Sequence, residues 1–452
     1  MGSGHMPDDI IRDSTYFRQL QWIDAHGDCS PPPSTDMREW VDKSKVKDMK
    51  NHHSVEDPDM AYLISYGGPG DNDDTELERQ IKFMVKASIK TISTAERDVY
   101  DCFDIDKQPA LEHPLLKGHK VQKEPNLHFK RFHKAPANVN AAQLGLKEPC
   151  PVGTVPILRA TKEVLNKEKS LLKIPSLAAM KQNAPSSQHV VSLVDNKIRN
   201  VKFGIYASLS IYNLTVAHDQ FSSHNVWIET GPADHISMIA AGWQVFPQLY
   251  GDTSSRLFIY WTGDGYRNGC YNTLCPGFVQ VDRRITTGLP FSHSSTYGGD
   301  QYEFSILIQQ LRQKTHQQFF LSNQDRATGN WWLVVVSDPP VKVGYWPNEL
   351  FLYLRNGSRH TAWGGVGLAG GDGVCPPMGS GHMPGRDFKH AAYFRQLFWI
   401  NGHGDYSYLP GSKDMREWVD KSKVYGLKNR QYVGQEMDYM ISYGGPGGYC
   451  RG

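Results

Sequence analysis

The chain has 452 residues, with 49 lysines and arginines against 47 aspartates and glutamates, a formal net charge of +2 and seven cysteines. This near-neutral charge excludes a strongly basic nucleic-acid-binding protein, and contents of 39% hydrophobic and 11% aromatic residues exclude wholesale disorder. No apolar run approaches the roughly 18 residues that a membrane-spanning helix needs. We therefore expect a folded chain of two or three domains with no nucleic-acid partner and no membrane span.

Residues 1–72 repeat the C-terminal end of the chain. The repeated runs start at residues 1, 16, 36 and 64 and again at 378, 393, 414 and 441; they are MGSGHMP, YFRQL, DMREWVDKSKV and ISYGGPG. Two copies so far apart cannot stack as a solenoid, which needs adjacent units. We interpret 1–72 as an orphan copy of the tail, left by the fusion of two gene units. A functional duplicated module is the alternative.

The N-terminus shows no recognisable targeting signal. A secretory signal has a basic start followed by about 7–15 apolar residues, whereas residues 1–20 are polar throughout. Because the chain begins inside a copy of its own tail, we expect that the original beginning, with any signal peptide, is missing from this sequence.

Residues 75–196 form a second region of mixed character. The run ELERQIKFMVKASIK at 75–89 has apolar residues at three- and four-residue steps, which predicts a helix. Residues 165–188 are rich in Lys, Ser, Pro and Asn, which is typical of a solvated linker. We therefore predict a smaller, mixed or α-containing region that ends in a linker.

Residues 197–452 have the sequence pattern of an all-β domain. Short runs rich in β-branched and aromatic residues alternate with turn formers, and no amphipathic helix separates them; the runs include IYASLSIY, NVWIE, RLFIYWT, YEFSILI and NWWLVVV. Many short strands at this spacing predict an antiparallel β-sandwich.

Several long motifs of this domain resemble the neprosin family of plants. They are AGWQVFPQLYGD (241–252), RLFIYWTGDGY (256–266), GCYNTLCPGFVQ (269–280), GNWWL (329–333), VGYWPNELF (343–351), WGG (363–365), MGSGHMP (378–384) and ISYGGPG (441–447). Upstream, CFDIDKQPALEHPLLKGHKVQ (102–122) and CPVGTVPILR (150–159) resemble that family's activation peptide. The resemblance implies a secreted glutamic peptidase with a β-sandwich fold, made as a zymogen, active in acid and cleaving after proline.

Glutamic peptidases need two carboxyl groups in one cleft. One carboxylate takes a proton from the attacking water, and a second, protonated, donates toward the scissile carbonyl and the leaving amine. The resemblance places the first glutamate two residues before the Gly of the Gly-Trp-Gln motif, at Ala240 here, and the second beside the Trp-Gly-Gly motif, at Ala362 or Val366. Neither position is acidic. We therefore expect a pseudoenzyme that still binds proline-containing peptides or proteins.

Two other functions remain open. An active acid endopeptidase using other carboxylates would draw on Glu229, Glu303 or Glu349, although each is more typical of a solvent-facing strand or loop residue. A non-catalytic β-sandwich that binds peptides or cell-wall polymers, or a chimeric gene model with no function of its own, is the third hypothesis.

Aromatic and polar side chains in the strand-rich part are candidates for lining a cleft, with core packing as the more frequent role of such aromatics; they are Trp243, Gln244, Tyr260, Trp261 and Trp346. We expect disulfides Cys270–Cys275 and Cys375–Cys450, and Cys102–Cys150 within the activation-like region. Cys29 is then expected to have no disulfide partner. Asn213 and Asn356 begin glycosylation sequons. The absence of HExxH and of CxxC pairs at zinc spacing leads us to expect no metal and no cofactor.

Overall fold

Two units make up the computed structural model, Met1–Phe83 and Met84–Gly452. Within the first unit, the structure describes five strands by their backbone. In the second unit, it describes residues 87–125, 136–161, 164–165, 174, 187–195, 200–311, 328–408 and 415–450. Most of the helix predicted at 75–89 lies outside the described residues.

The described strands of the first unit are β1 (Thr15–Arg18), β2 (Trp22–Ile23), β3 (Cys29–Ser30), β4 (Asp48–His53) and β5 (Tyr62–Gly67). Strands β2 and β3 pair with each other, and β1, β5 and β4 form an antiparallel sheet in that order. In this sheet Thr15 pairs with Tyr66. The matching residues of the second copy, Ala392 and Tyr443, pair in the same way. The repeated sequence therefore carries a repeated strand register.

The second unit begins with the activation-like region. Its strands are β6 (Lys90–Ser93), β7 (Val99–Asp104), β8 (Val139–Ala141) and β9 (Thr154–Leu158), with 3-10 helices at Ile105–Lys107, Pro109–Glu112 and Pro114–Leu116. Strands β6, β7 and β9 form a small antiparallel sheet over a core that includes Tyr100 and the Cys102–Cys150 disulfide. Gln108 fastens this region to the sandwich, because its side chain donates to the Gln280 carbonyl and accepts from the Gln280 amide.

Two antiparallel sheets form the sandwich, which confirms the predicted fold class. The six-stranded sheet has the order β14-β13-β12-β19-β10-β23. Its members are β10 (Gln188–Asp195), β12 (Phe221–Thr230), β13 (Ser237–Val245), β14 (Arg256–Thr262), β19 (His360–Leu368) and β23 (Met415–Val419). Strand β10 falls at the end of the range 75–196, yet it pairs between β19 and β23 inside this sheet.

The other sheet has ten strands. Eight run in the order β15-β18-β17-β16-β11-β21-β25-β24, while β22 pairs with β21 and β8 pairs parallel to β16. The bounds not given above are β11 (Gly204–Ser210), β15 (Val279–Gln280), β16 (Gln301–Gln310), β17 (Trp331–Val335), β18 (Val341–Trp346), β21 (Ala392–Ile400), β22 (Tyr406–Tyr408), β24 (Gly426–Tyr432) and β25 (Tyr439–Gly444).

The remaining elements are short. Strands β20 (Val374–Cys375) and β26 (Gly448–Tyr449) pair with each other next to the Cys375–Cys450 disulfide. Two helices have four residues each, α1 (Pro247–Tyr250) and α2 (Gly434–Met437), and further 3-10 helices lie at Ala233–His235, Asn348–Leu350, Leu354–Asn356 and Phe388–His390. Among the described residues, no helix is long and apolar enough to cross a membrane.

The three disulfides are the pairs expected from the sequence, Cys102–Cys150, Cys270–Cys275 and Cys375–Cys450. The main core lies between the two sheets. Strand alternation sends Ile239, Ala241 and Trp243 of β13 into it, where they meet Ile306 and Ile308 of β16 from the other sheet.

His224 of β12 is a titratable residue inside this core. Its ring stacks on Phe394 and Trp243, with centroids 4.1 and 5.3 Å apart, and its Nδ1 lies 2.7 Å from the Tyr443 hydroxyl. Complete burial lowers the pKa of His224 well below its ordinary value of 6.5, because desolvation disfavours the charged imidazolium. The folded protein therefore holds His224 neutral, whereas the unfolded chain protonates it below pH 6.5.

We predict that His224→Phe makes the stability of the protein less sensitive to acid. Below pH 6.5 only the unfolded chain takes up this proton, so His224 lowers the free energy of unfolding by about 1.4 kcal/mol per pH unit, down to its folded-state pKa. Phenylalanine keeps the ring stack and removes the titration. Urea unfolding between about pH 6.5 and pH 4.5 measures the slope. His403→Phe, on an exposed histidine, is the control, and equal slopes for wild type and His224→Phe would contradict the prediction.

Candidate functional site

The face of the six-stranded sheet that points away from the sandwich core holds Ala240, Ala362 and Val366, the positions at which the sequence resemblance predicts glutamates. We call it the outer face. It carries a separate apolar cluster that includes Val194, Trp227, Ala240, Tyr260, Ala362 and Val366. Period-two alternation explains the division, because neighbours such as Ile239 and Ala241 point into the main core.

Strand register brings two of these positions together. Trp227 of β12 pairs with Ala240 on one side and with Ala362 on the other. Two strand spacings of about 4.8 Å put the Cα atoms of Ala240 and Ala362 roughly 10 Å apart. Val366 lies four residues further along β19, roughly 13 Å from Ala362. Glutamates at 240 and 362 would converge over Trp227, whereas a glutamate at 366 would be remote.

The outer face also carries buried polar atoms that have no hydrogen-bond partner among the described residues. They are Trp227 Nε1, Asn225 Nδ2, Ser192 Oγ and Gln244 Oε1. Buried polar groups in folded proteins are almost always paired, and an unpaired one costs about 1–3 kcal/mol. These four atoms include both donors and acceptors.

Two glycines flank Asn225 in the six-stranded sheet. Asn225 pairs with Gly242 on one side and Gly364 on the other. A Cβ atom on either glycine would lie 2.0 Å from the carbonyl oxygen of a neighbouring strand, that of His224 or that of Val191. Only glycine fits at these two positions beside Asn225 without displacing the neighbouring backbone.

One residue of the linker packs on this face. Ile174 is 1% exposed and belongs to the outer-face cluster. Its carbonyl oxygen accepts a hydrogen bond from the Tyr266 hydroxyl at 2.8 Å. Tyr266 follows strand β14 in a turn where its φ is +66°, a left-handed conformation that few non-glycine residues adopt. The face thus contacts both the side chain and the backbone of an Ile that precedes Pro175.

The sequence-predicted cleft residues divide between the two faces. Gln244 and Tyr260 belong to the outer face, where the Gln244 amide donates to the Tyr250 hydroxyl at 3.0 Å. Trp243, Trp261 and Trp346 are fully buried in the main core instead. These three tryptophans therefore stabilise the sandwich and do not line a cleft. Trp227, Asn225, Ser192 and Tyr266 also lie on or against the outer face, and sequence reasoning did not name them.

The three candidate substitute glutamates lie in three different places. Glu229 is fully buried at the end of β12, on the outer-face side of the strand, two residues from Trp227. Glu303 of β16 pairs with Arg395, whose Nε donates to its carboxylate at 2.8 Å, and also accepts from the Tyr393 hydroxyl. Glu349 lies in a 3-10 helix and pairs with His119, and this hydrogen bond lowers the pKa of its carboxyl group. No two of them share a cleft.

Comparison with known proteins identifies the family. The family model described as Neprosin matches residues 218–446, and the one described as Neprosin activation peptide matches residues 91–202. The chain belongs to the neprosin family.

Two solved structures of Scytalido-glutamic peptidase also resemble the chain, one with a peptide-based transition-state analogue and one with a transition-state analogue inhibitor. Sequence identity is 10% and 12%, and the TM-scores are 0.28 and 0.29. Each match covers 57% of this chain and 97% of the peptidase chain. At these scores the β-sandwich assignment rests on the strand pairing and not on this likeness.

The two sequons of this neprosin-family chain differ in their surroundings. Asn213 and Thr215 are both exposed, and the Asn213 side-chain oxygen accepts from the Ser255 amide at 3.1 Å. Asn356 is exposed in a 3-10 helix, but Ser358 is fully buried and donates to the Glu229 carbonyl. Both asparagines are placed where a glycan would meet solvent, and glycosylation at either stays a prediction.

We predict that Glu303 is structural. Glu303→Gln leaves the buried Arg395 guanidinium without its counter-charge, and breaking such a pair costs about 3–5 kcal/mol. Glu349→Gln is the matched control, because its side chain is 52% exposed and an exposed ion pair contributes about 0–1 kcal/mol. Chemical unfolding of both variants at neutral pH measures the difference. Equal losses of unfolding free energy in the two variants would show that the Glu303–Arg395 pair contributes no more to stability than an exposed pair.

Proposed function

We propose that this neprosin-family protein is a secreted, non-catalytic relative of the peptidases that binds extended, proline-containing peptides on the outer face of its six-stranded sheet. The observation that carries the proposal is the pairing of Ala240 and Ala362 across Trp227, on a face where four buried polar atoms have no partner among the described residues. The face has lost the groups needed for chemistry and kept the groups needed for binding.

The loss of chemistry follows from what water activation requires. A methyl group neither accepts a proton from water nor donates one to a leaving amine. Two alanines at the convergent positions therefore remove both the general base and the general acid. The remaining contacts of the face can still hold a peptide, since binding needs only apolar area and placed hydrogen-bond partners.

The way Ile174 sits on the face supports a peptide as the ligand. Its side chain enters an apolar cluster while its carbonyl oxygen accepts from Tyr266. Extended peptides are recognised in this manner, with backbone hydrogen bonds giving affinity and pockets for side chains giving specificity. Because Pro175 follows Ile174 in the sequence, an Ile-Pro segment is the natural probe.

Secretion is supported by the covalent chemistry of the chain. The chain has three disulfides. Disulfides persist in oxidising compartments and are rare in the cytosol. The exposed Asn213 and Asn356 fit a glycosylated extracellular protein.

An acid endopeptidase remains the second candidate because of Glu229. Among the six described strands of this sheet, Glu229 is the single carboxylate on the outer face. A lone carboxylate provides either the base or the acid, so this candidate needs a second group from elsewhere in the chain. Acid-dependent cleavage by the wild type that disappears in Glu229→Gln would favour it.

We predict that restoring the carboxyl pair restores peptidase activity. The wild-type chain should not cleave proline-containing peptides at about pH 3–5, where a glutamic pair shares one proton. The double variant Ala240→Glu/Ala362→Glu should cleave them at acid pH and lose the activity toward neutrality. Mass spectrometry of the products shows the cleaved bonds.

The matched control is Ala240→Glu/Val366→Glu, in which the same two charges lie too far apart to share a proton. It should remain inactive. Cleavage by wild type would contradict the pseudoenzyme proposal, and equal activity of the two double variants would contradict the assignment of Ala362 as the second position.

We predict that displacing Ile174 opens the face to peptides. Ile174→Asp places a charge in an apolar cluster, so the linker should leave the face. A fluorescent peptide with the sequence of residues 170–178 should then bind the full-length variant more tightly than wild type, as measured by anisotropy.

Ile174→Leu, which keeps the apolar contact, should behave like wild type. Adding Asn225→Leu to Ile174→Asp removes one of the unpartnered atoms and should weaken peptide binding by about tenfold, the equivalent of one hydrogen bond of about 1.4 kcal/mol. Equal binding by wild type, Ile174→Asp and the double variant would show that the peptide does not bind this face.

A further inference from the structure

A second cluster of reactive side chains lies where β10 meets the C-terminal disulfide. His189, Cys375 and Cys450 each present a ligand atom within 4.8 Å of the others. All three are buried, with exposures of 5%, 1% and 8%. Cys375 and Cys450 form a disulfide, whose Cα atoms are 5.8 Å apart. We propose that reduction of this disulfide turns the cluster into a Cys₂His site for zinc.

The distance from the histidine to the nearer sulfur fits a metal between them. His189 Nε2 lies 3.5 Å from Cys450 Sγ. In tetrahedral zinc sites Zn–S is about 2.3 Å and Zn–N about 2.0–2.1 Å, which puts sulfur and nitrogen roughly 3.6 Å apart. The imidazole therefore already stands where a zinc ligand would stand relative to Cys450.

A carboxylate holds the other side of the ring. His189 Nδ1 lies 3.1 Å from Asp420 Oδ2. Asp420 is itself fixed, because its Oδ1 accepts from the Val190 amide at 3.2 Å and its own amide donates to the Val190 carbonyl. Metal-binding histidines almost always donate their second N–H to a carboxylate, a backbone carbonyl or a water, and here Asp420 would set the tautomer that leaves Nε2 to bind the metal.

The reaction that opens the site balances with a dithiol as the reductant. The two dithiol sulfurs lose their protons and join, while Cys375 and Cys450 each gain one electron and one proton. Zinc then binds both sulfurs and displaces the two thiol protons to solvent. Soft thiolates with one imidazole favour zinc over magnesium or calcium. Three protein ligands leave the fourth zinc position open.

Short zinc-binding spacings are absent from the sequence, so sequence reasoning gives no metal site. The ligands come from a strand of the six-stranded sheet and from the two ends of a 75-residue segment. Only the fold brings them together. The site is separate from the outer face, and its test does not depend on the proposed peptide binding.

The test uses the full chain, reduced with dithiothreitol, freed of reductant under nitrogen and titrated with zinc chloride. We expect one zinc per chain to survive desalting. Zinc should slow the alkylation of Cys375 and Cys450 by iodoacetamide, mapped by peptide mass spectrometry. Cys270 and Cys275 in the same sample are the internal control and should react equally with and without zinc. Cobalt in place of zinc should give thiolate charge-transfer absorption.

Two variants separate this site from general thiol binding, because both keep all seven cysteines. His189→Gln should lose the retained zinc. Asp420→Asn should weaken zinc binding by about tenfold, because it removes the carboxylate that orients His189. His403→Gln, at an exposed histidine, should match wild type. Zinc binding that is equal in wild type and His189→Gln, or equal in the oxidised and reduced chains, would overturn the proposal. So would alkylation of Cys375 and Cys450 that zinc leaves unchanged.

Discussion

The antiparallel register of β13, β12 and β19 is the constraint on which the sandwich and its outer face both depend. Because side chains alternate, a slip of one residue would turn Trp243 outward and Ala240 inward and so exchange the two faces. Gly242 and Gly364 help to fix this register, since a Cβ atom at either would collide with the neighbouring backbone. The same register that buries the main core therefore aligns Ala240, Trp227 and Ala362.

Sequence reasoning reached the β-sandwich and the three disulfides, but not the faces of the strands. Strands β12 and β13 are buried along their whole length. Such strands lose the contrast between polar and apolar positions from which period-two alternation is read. That is why Trp243 and Trp261 were candidates for the cleft while Trp227 was not. Ile174 and His189 could not be found because their partners are distant in the sequence and meet only in the folded chain.

Strand β10 moves the boundary between the activation-like region and the sandwich to before Gln188, because it pairs inside the six-stranded sheet. Composition places the linker and β10 together before residue 197, yet β10 is paired on both edges by β19 and β23. Removal of residues 188–195 would leave β23 without its partner and would expose the edge of β19. Any cut in the linker that preserves the six-stranded sheet therefore falls before Gln188. The same strand carries Ser192 on the outer face and His189 beside the disulfide, so it serves both proposed sites.

The energetics of the outer face are consistent with the proposed peptide binding. A pair of carboxyls in a buried apolar cluster is costly, and alanines at 240 and 362 remove that cost. The atoms of Asn225, Trp227, Ser192 and Gln244 have no partner among the described residues, and a buried polar atom left unpaired costs about 1–3 kcal/mol. Apolar residues at those positions would relieve this cost as simply as the alanines do. The peptide proposed to bind there would supply donors and acceptors for these atoms through its backbone.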